Sequence, residues 1–87
     1  MKTIYIKFWS PEEVGLPDSE LTEKDIKKYC FRVFKCSNEA HILEVYANTI
    51  CTYSTLLNDT DDVKGFIDEA CKHWINHDYD WLECNFT

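Results

Sequence analysis

Glycine and proline are scarce in this chain, with two of each in 87 residues. Two glycines leave no room for a glycine-rich loop that cradles a phosphate. Long apolar runs are missing too. No stretch approaches the ~20 apolar residues of a membrane-spanning helix. The opening MKTIYIKFWSPEE soon turns acidic, so no secretory leader is expected. Positive charge is in short supply: nine Lys and Arg face sixteen Asp and Glu, a formal net charge of −7. Such a chain repels phosphate backbones and anionic bilayers, which disfavours direct contact with nucleic acid or membrane. It suits a basic protein partner, whose encounter it would steer, although net charge also serves plain solubility.

Five cysteines are present, Cys30, Cys36, Cys51, Cys71 and Cys84. An odd number at irregular spacing is no disulfide framework. They read as small buried apolar residues in a reducing compartment, with the cytoplasm of a host cell as the expected location.

What is present is a globular composition, 45% hydrophobic and 15% aromatic, and one domain over 1–87. A chain of this size buries roughly 60–65% of its unfolded surface, enough for one modest core and unfavourable to a large internal pocket.

Residues 3–9 (TIYIKFW) alternate, with Ile4, Ile6 and Phe8 on one face and Tyr5, Lys7 and Trp9 on the other, as a half-buried strand does. Ser10-Pro11-Glu12-Glu13 reads as a helix start with a capping box, stopped at once by Gly15 and Pro17. A second start follows at Thr22-Glu23-Lys24-Asp25, so 10–28 is expected to be a polar connection with short helical turns. Residues 29–36 (YCFRVFKC) are aromatic and β-branched, hence a strand. Ser37-Asn38-Glu39-Ala40 reads as a tight turn, 41–47 (HILEVYA) as the return strand of a hairpin, and 49–55 (TICTYST) as a third consecutive strand. The longest helix is predicted over about 61–76. Its apolar stripe is Val63, Phe66, Ile67, Ala70, Cys71, Trp74 and Ile75, and Asn58-Asp59-Thr60 caps it. Gly65 falls on its exposed side, at up to ~1 kcal/mol relative to alanine. The tail 78–87 alternates and is expected to add a last strand. The fold class is therefore α+β: a three- to five-stranded antiparallel sheet packed on one long amphipathic helix.

Three acidic groups emerge. One lies in 10–28: Glu12, Glu13, Asp18, Glu20, Glu23 and Asp25, partly offset by Lys24, Lys27 and Lys28. Solvation accounts for most of it. The second, Asp59, Asp61 and Asp62, favours the positive end of the long helix's dipole, and a binding role is an addition to that. The third is aromatic-flanked: Asp78, Tyr79, Asp80, Trp81 and Glu83. Its rings either close one end of the core or anchor a partner whose Arg and Lys meet the carboxylates.

A zinc site would draw on Cys71, His73, His77 and Cys84, since His73 and His77 are four apart on a helix. Cys71 belongs to the core stripe on nearly the opposite flank from His73, so core thiols and surface histidines are the simpler account. No nucleophile elbow or cysteine-enzyme signature accompanies His41, His73 and His77. Neither catalysis nor a cofactor is expected.

The segment Val63-Lys64-Gly65-Phe66-Ile67, with Trp74 seven positions after Ile67 and then Asp78, Tyr79 and Asp80, resembles a helix of the small type II-A phage anti-CRISPR proteins. The likeness covers residues 63–80. That family blocks an RNA-guided DNA nuclease by imitating DNA where the enzyme's arginines read the motif beside the target. The resemblance implies that Asp78 and Asp80 act as phosphate or base-edge mimics. The function expected is thus a small acidic inhibitor, a DNA mimic of phage origin, occluding a basic nucleic-acid-binding partner such as a CRISPR effector. The alternatives are an antitoxin or immunity protein that neutralises a nuclease toxin, and a small zinc-binding domain.

Overall fold

A computed structural model describes residues 2–17, 21–48 and 50–86. Asp18 and Glu20 of the first acidic group lie outside the described residues, as does Thr49 at the head of the expected third strand. The chain is α+β, with the order β1 (Thr3–Phe8), α1 (Glu23–Tyr29), β2 (Phe31–Cys36), α2 (Glu39–Asn48), β3 (Tyr53–Asn58), α3 (Val63–Ile75) and α4 (Tyr79–Asn85). The described sheet is antiparallel and three-stranded, in the order β2-β1-β3.

β1 is the central strand, paired on both edges, and helices cover both its faces as well, whereas alternation alone suggested one. Ile4, Ile6 and Phe8 join Ile26 and Cys30 around α1, Phe31 of β2, Ile67, Ala70 and Cys71 of α3, then Leu82 and Phe86. On the reverse face Tyr5 packs with Cys36 and with Val45 of α2, flanked by Phe34 and Ile42. Lys7 is buried on that face as well, its ammonium 5.6 Å from the centroid of the Tyr5 ring.

β2 and β3 are each antiparallel to β1, with Tyr5 facing Phe34 on one side and Leu56 on the other. They therefore run parallel to each other and need a crossover, which α2 supplies on the reverse face. The expected hairpin of 29–47 is thereby corrected. Asn38 is the reason: its side-chain Oδ1 accepts the His41 backbone N–H, an N-cap that starts a helix through Glu39, Ala40 and Leu43. Ile42 and Val45 then face the sheet three residues apart, which alternation had put on opposite faces.

α3 ends close to expectation but begins at Val63, capped by Asp62 and not by the expected Asn58-Asp59-Thr60, and it does not lie alone across the sheet. Its stripe shares the core with α1 and α4. The tail is also corrected, from strand to helix. In α4 the buried Leu82 and half-buried Trp81 face inward while Asp80, Glu83, Cys84 and Asn85 are exposed.

The 10–28 connection holds one turn over 11–15, closed by Val14 N–H to Ser10 O and Leu16 N–H to Pro11 O, with Gly15 at φ 80°. The capping box read there is replaced: Ser10 N–H donates to Thr52 Oγ1 at 3.1 Å, and Trp9 Nε1 donates to Ile50 O at 2.9 Å. These bonds tie the segment after β1 to the one before β3. α1 starts where expected, with Thr22 Oγ1 accepting the Asp25 N–H. Among the described residues no helix is long and apolar enough to cross a membrane.

Candidate functional site

The acidic end of the molecule is set by how α3 starts and stops. At its start, Asp62 is the N-cap and accepts the Gly65 N–H, while Asp61 accepts the Asn58 N–H at 2.8 Å. Both aspartates thus serve the β3–α3 turn, as their positions at the helix dipole suggested. Asp59 is exposed beside them.

At its end, α3 stops without glycine. His77 takes the left-handed conformation, φ 59°. Its N–H reaches Trp74 O, and the Asp78 N–H reaches His73 O at 2.8 Å. This double closure satisfies the last carbonyls of the helix and reverses the chain. α4 can therefore return along α3, with Trp81 tilted against Phe66 at 5.8 Å and Phe86 edge-on to Phe66 at 5.1 Å.

The reversal builds a compact group around His73. Its Nδ1 lies 2.9 Å from Asp78 Oδ2, and its Nε2 lies 3.5 Å from Glu69 Oε2. Carboxylates only accept, so Nδ1 carries the proton in the shorter contact. Trp81 stacks on the imidazole, with centroids 4.4 Å apart and planes 4° apart. Nearby, Tyr79 meets Trp74 edge-on at 5.0 Å, and its hydroxyl lies 2.9 Å from His77 Nδ1.

The two histidines once paired as metal ligands are thus committed elsewhere and point to different partners. Cys71 is fully buried, and burial pushes its thiol up to about 12. Cys84 is exposed on α4. Among the described residues no group of three or more His, Cys, Asp or Glu is placed to share a metal ion.

The helical tail changes which carboxylates act together. As a strand it would have put Asp80 and Glu83 on opposite faces. As a helix it puts them three apart on one exposed face, at roughly 5–6 Å between their Cβ atoms. Asp78 sits apart from that pair, drawn in toward His73.

Charge is divided unevenly along the chain. Residues 59–87 hold eight acids and two lysines, a formal −6, while residues 1–58 hold eight acids and seven basic residues, a formal −1. Nearly all the net charge therefore belongs to the β3–α3 turn, α3 and α4. Within that half, Asp68 is matched by Lys27 of α1, whose ammonium holds its carboxyl below the usual range with help from Lys64 and Lys72. Glu69 lies 3.9 Å from Lys72. Asp59, Asp61, Asp62, Asp80 and Glu83 have no ion pair among the described residues.

The acids are legible in the sequence, but the grouping is not. His73 was read only as a possible ligand, and its role in holding Asp78 and Trp81 depends on the tail being a helix. Its one sequence signal is the five-residue step from His73 to Asp78, which spans a helix end and a reversal. No protein-family model, curated protein or solved structure matches the chain.

Proposed function

We propose that this protein is a small acidic inhibitor of the phage anti-defence kind, acting like the anti-CRISPR proteins its long helix resembles. It covers a basic nucleic-acid-reading site on a protein partner such as a CRISPR effector. In this reading it is no enzyme, and it acts by stoichiometric occlusion.

The observation that carries the proposal is the concentration of a formal −6 in residues 59–87, with five carboxylates left without an ion pair among the described residues. A fold has no need of such an excess. Like charges repel within one domain, and capping accounts only for Asp61 and Asp62. Asp80 and Glu83 present two acceptors on one face of α4 to the partner's Arg or Lys. The half-buried Trp81 lies next to them on an immobilised ring, as an aromatic anchor does. Asp78 positions His73 and Trp81, and of the two carboxylates implied by the family resemblance, Asp80 is the one free to meet a partner.

The test is unbiased capture from bacterial lysate at low and high salt, run beside the double variant Asp80→Lys/Glu83→Lys. The expected result is a nucleic-acid-binding protein retained by the native chain, released by salt and lost with the double variant. Retention of every partner by the variant would refute the assignment.

A further inference from the structure

Three rings meet where α3 gives way to α4. Trp74 is tilted against Phe8 of the core at 5.2 Å and meets Tyr79 edge-on at 5.0 Å, with planes 61° apart. The Tyr79 hydroxyl lies 2.9 Å from His77 Nδ1, and the His77 backbone N–H donates to Trp74 O. Each ring is therefore held by a neighbour before any ligand arrives, which lowers the ordering cost of binding.

The same three residues line an open groove of about 590 Å³, together with Ser10, Pro11 and Glu12 from the turn after β1. That turn is fixed in its own right. Its Gly15 N–H donates to Glu12 O, Ser10 N–H donates to Thr52 Oγ1, and Pro11 is buried. Among the described residues Glu12 is the one carboxylate that lines the groove, and no Lys or Arg does. Glu12 is exposed and makes no ion pair among the described residues.

An unpaired carboxylate beside two electron-rich rings suits a cation. A metal ion needs more ligands than one carboxylate, and among the described residues no group of three or more metal-binding side chains is placed to supply them. The fitting cation is organic. A guanidinium is planar, lies against aromatic rings and offers a fork of donors that matches a carboxylate, whereas an ammonium is a compact, strongly hydrated point charge.

We infer that this groove takes an arginine side chain of the protein partner, its guanidinium paired with the Glu12 carboxylate and laid against Trp74 and Tyr79. The source of the arginine rests on the basic partner proposed above. A second copy of this chain is a poor source, since it has one arginine and carries −7 itself. Tyr79 is the first residue of α4, so the groove borders the helix that presents Asp80 and Glu83. One basic surface can then meet all three carboxylates, and Glu12 joins a binding surface from which sequence alone had left it out.

The test uses the isolated protein and Nα-acetyl-arginine amide, followed by ¹⁵N NMR. Saturable shifts are expected at the Trp74 indole and at the Glu12 and Tyr79 amides. Glu12→Gln should raise the dissociation constant about tenfold, as loss of a charge-assisted hydrogen bond does. Glu13→Gln, exposed next to it and outside the groove, should leave it within about twofold, the scale of a surface change. The citrulline amide keeps the shape without the charge, and the lysine amide keeps the charge without the plane; both should bind several times more weakly. Absence of saturable shifts at Trp74 and Tyr79 overturns the inference. So does equal binding of the citrulline or lysine amide, or an unchanged constant in a folded Glu12→Gln. The analogue comparison decides the matter even if that variant unfolds. The probe needs no partner, so a failed groove leaves the Asp80 and Glu83 capture test standing, and a failed capture leaves the groove standing.

Discussion

Trp81 lies flat on His73, with ring planes 4° apart and centroids separated by 4.4 Å. The stack joins the last helix to the one before it, and the Asp78 carboxylate holds the Nδ1 edge of the same imidazole. The acidic tail is thereby part of the folded body. Trp81→Ala removes this stack and the contact with Phe66. A loss of about 2–3 kcal/mol is expected, less than the ~3–5 of a fully buried aromatic, because Trp81 is only partly covered. The midpoint of urea unfolding reads it.

Asp78 and Asp80 should separate under mutation. Asp78→Asn weakens the hold on His73, so it should lower stability by about 1 kcal/mol, the usual worth of one hydrogen bond to a charged group or slightly less. Asp80 makes no ion pair among the described residues and lies exposed in the first turn of α4, so Asp80→Asn should move stability by no more than ~0.5 kcal/mol. Equal effects on stability from the two substitutions would contradict the different roles given to them.

Gly65 looked like a site for stabilisation by alanine. The structure reverses that expectation, because a methyl group there would run into the Asp62 carboxylate that caps the helix through the Gly65 N–H. Gly65→Ala gains up to ~1 kcal/mol of helix propensity and disturbs a cap worth about as much, so no net stabilisation should appear in thermal melts.

The buried thiols fix the alkaline behaviour. Desolvation raises Cys30 to about 11 and Cys71 to about 12, from an ordinary value of 9.0. Both are neutral in the fold and ionise more readily once it opens. Their contribution is complete below the unfolded value and is lost as pH rises from it toward 11 and 12. Denaturant midpoints should fall across that window, and less steeply in Cys71→Ala. In the native protein Cys84, which is exposed, should react with thiol reagents well before Cys30 or Cys71.

The sequence announces β1, β2 and α3 because their apolar periods are long and unambiguous. It misreads α2 and α4 because HILEVYA and DYDWLECNFT are short and carry both a two-residue and a helical period. Tertiary context decided each case. Asn38 caps α2 over a face of β1 that alternation had left open to solvent. A left-handed His77, where a glycine would have signalled the stop, turns α4 back onto α3. The candidate site was legible as a list of acids, Asp78 to Glu83, and not as an arrangement. Only the helical tail puts Asp80 and Glu83 on one face and gives Asp78 to His73.

In the proposed function the acidic half competes with nucleic acid for a basic site. The most direct measurement is fluorescence anisotropy of a labelled target duplex bound to a guide-loaded type II-A RNA-guided nuclease, titrated with this protein. Stoichiometric loss of DNA binding is expected, relieved by added salt and absent with Asp80→Lys/Glu83→Lys. Unchanged DNA binding at saturating protein, or equal inhibition by the double variant, would contradict it.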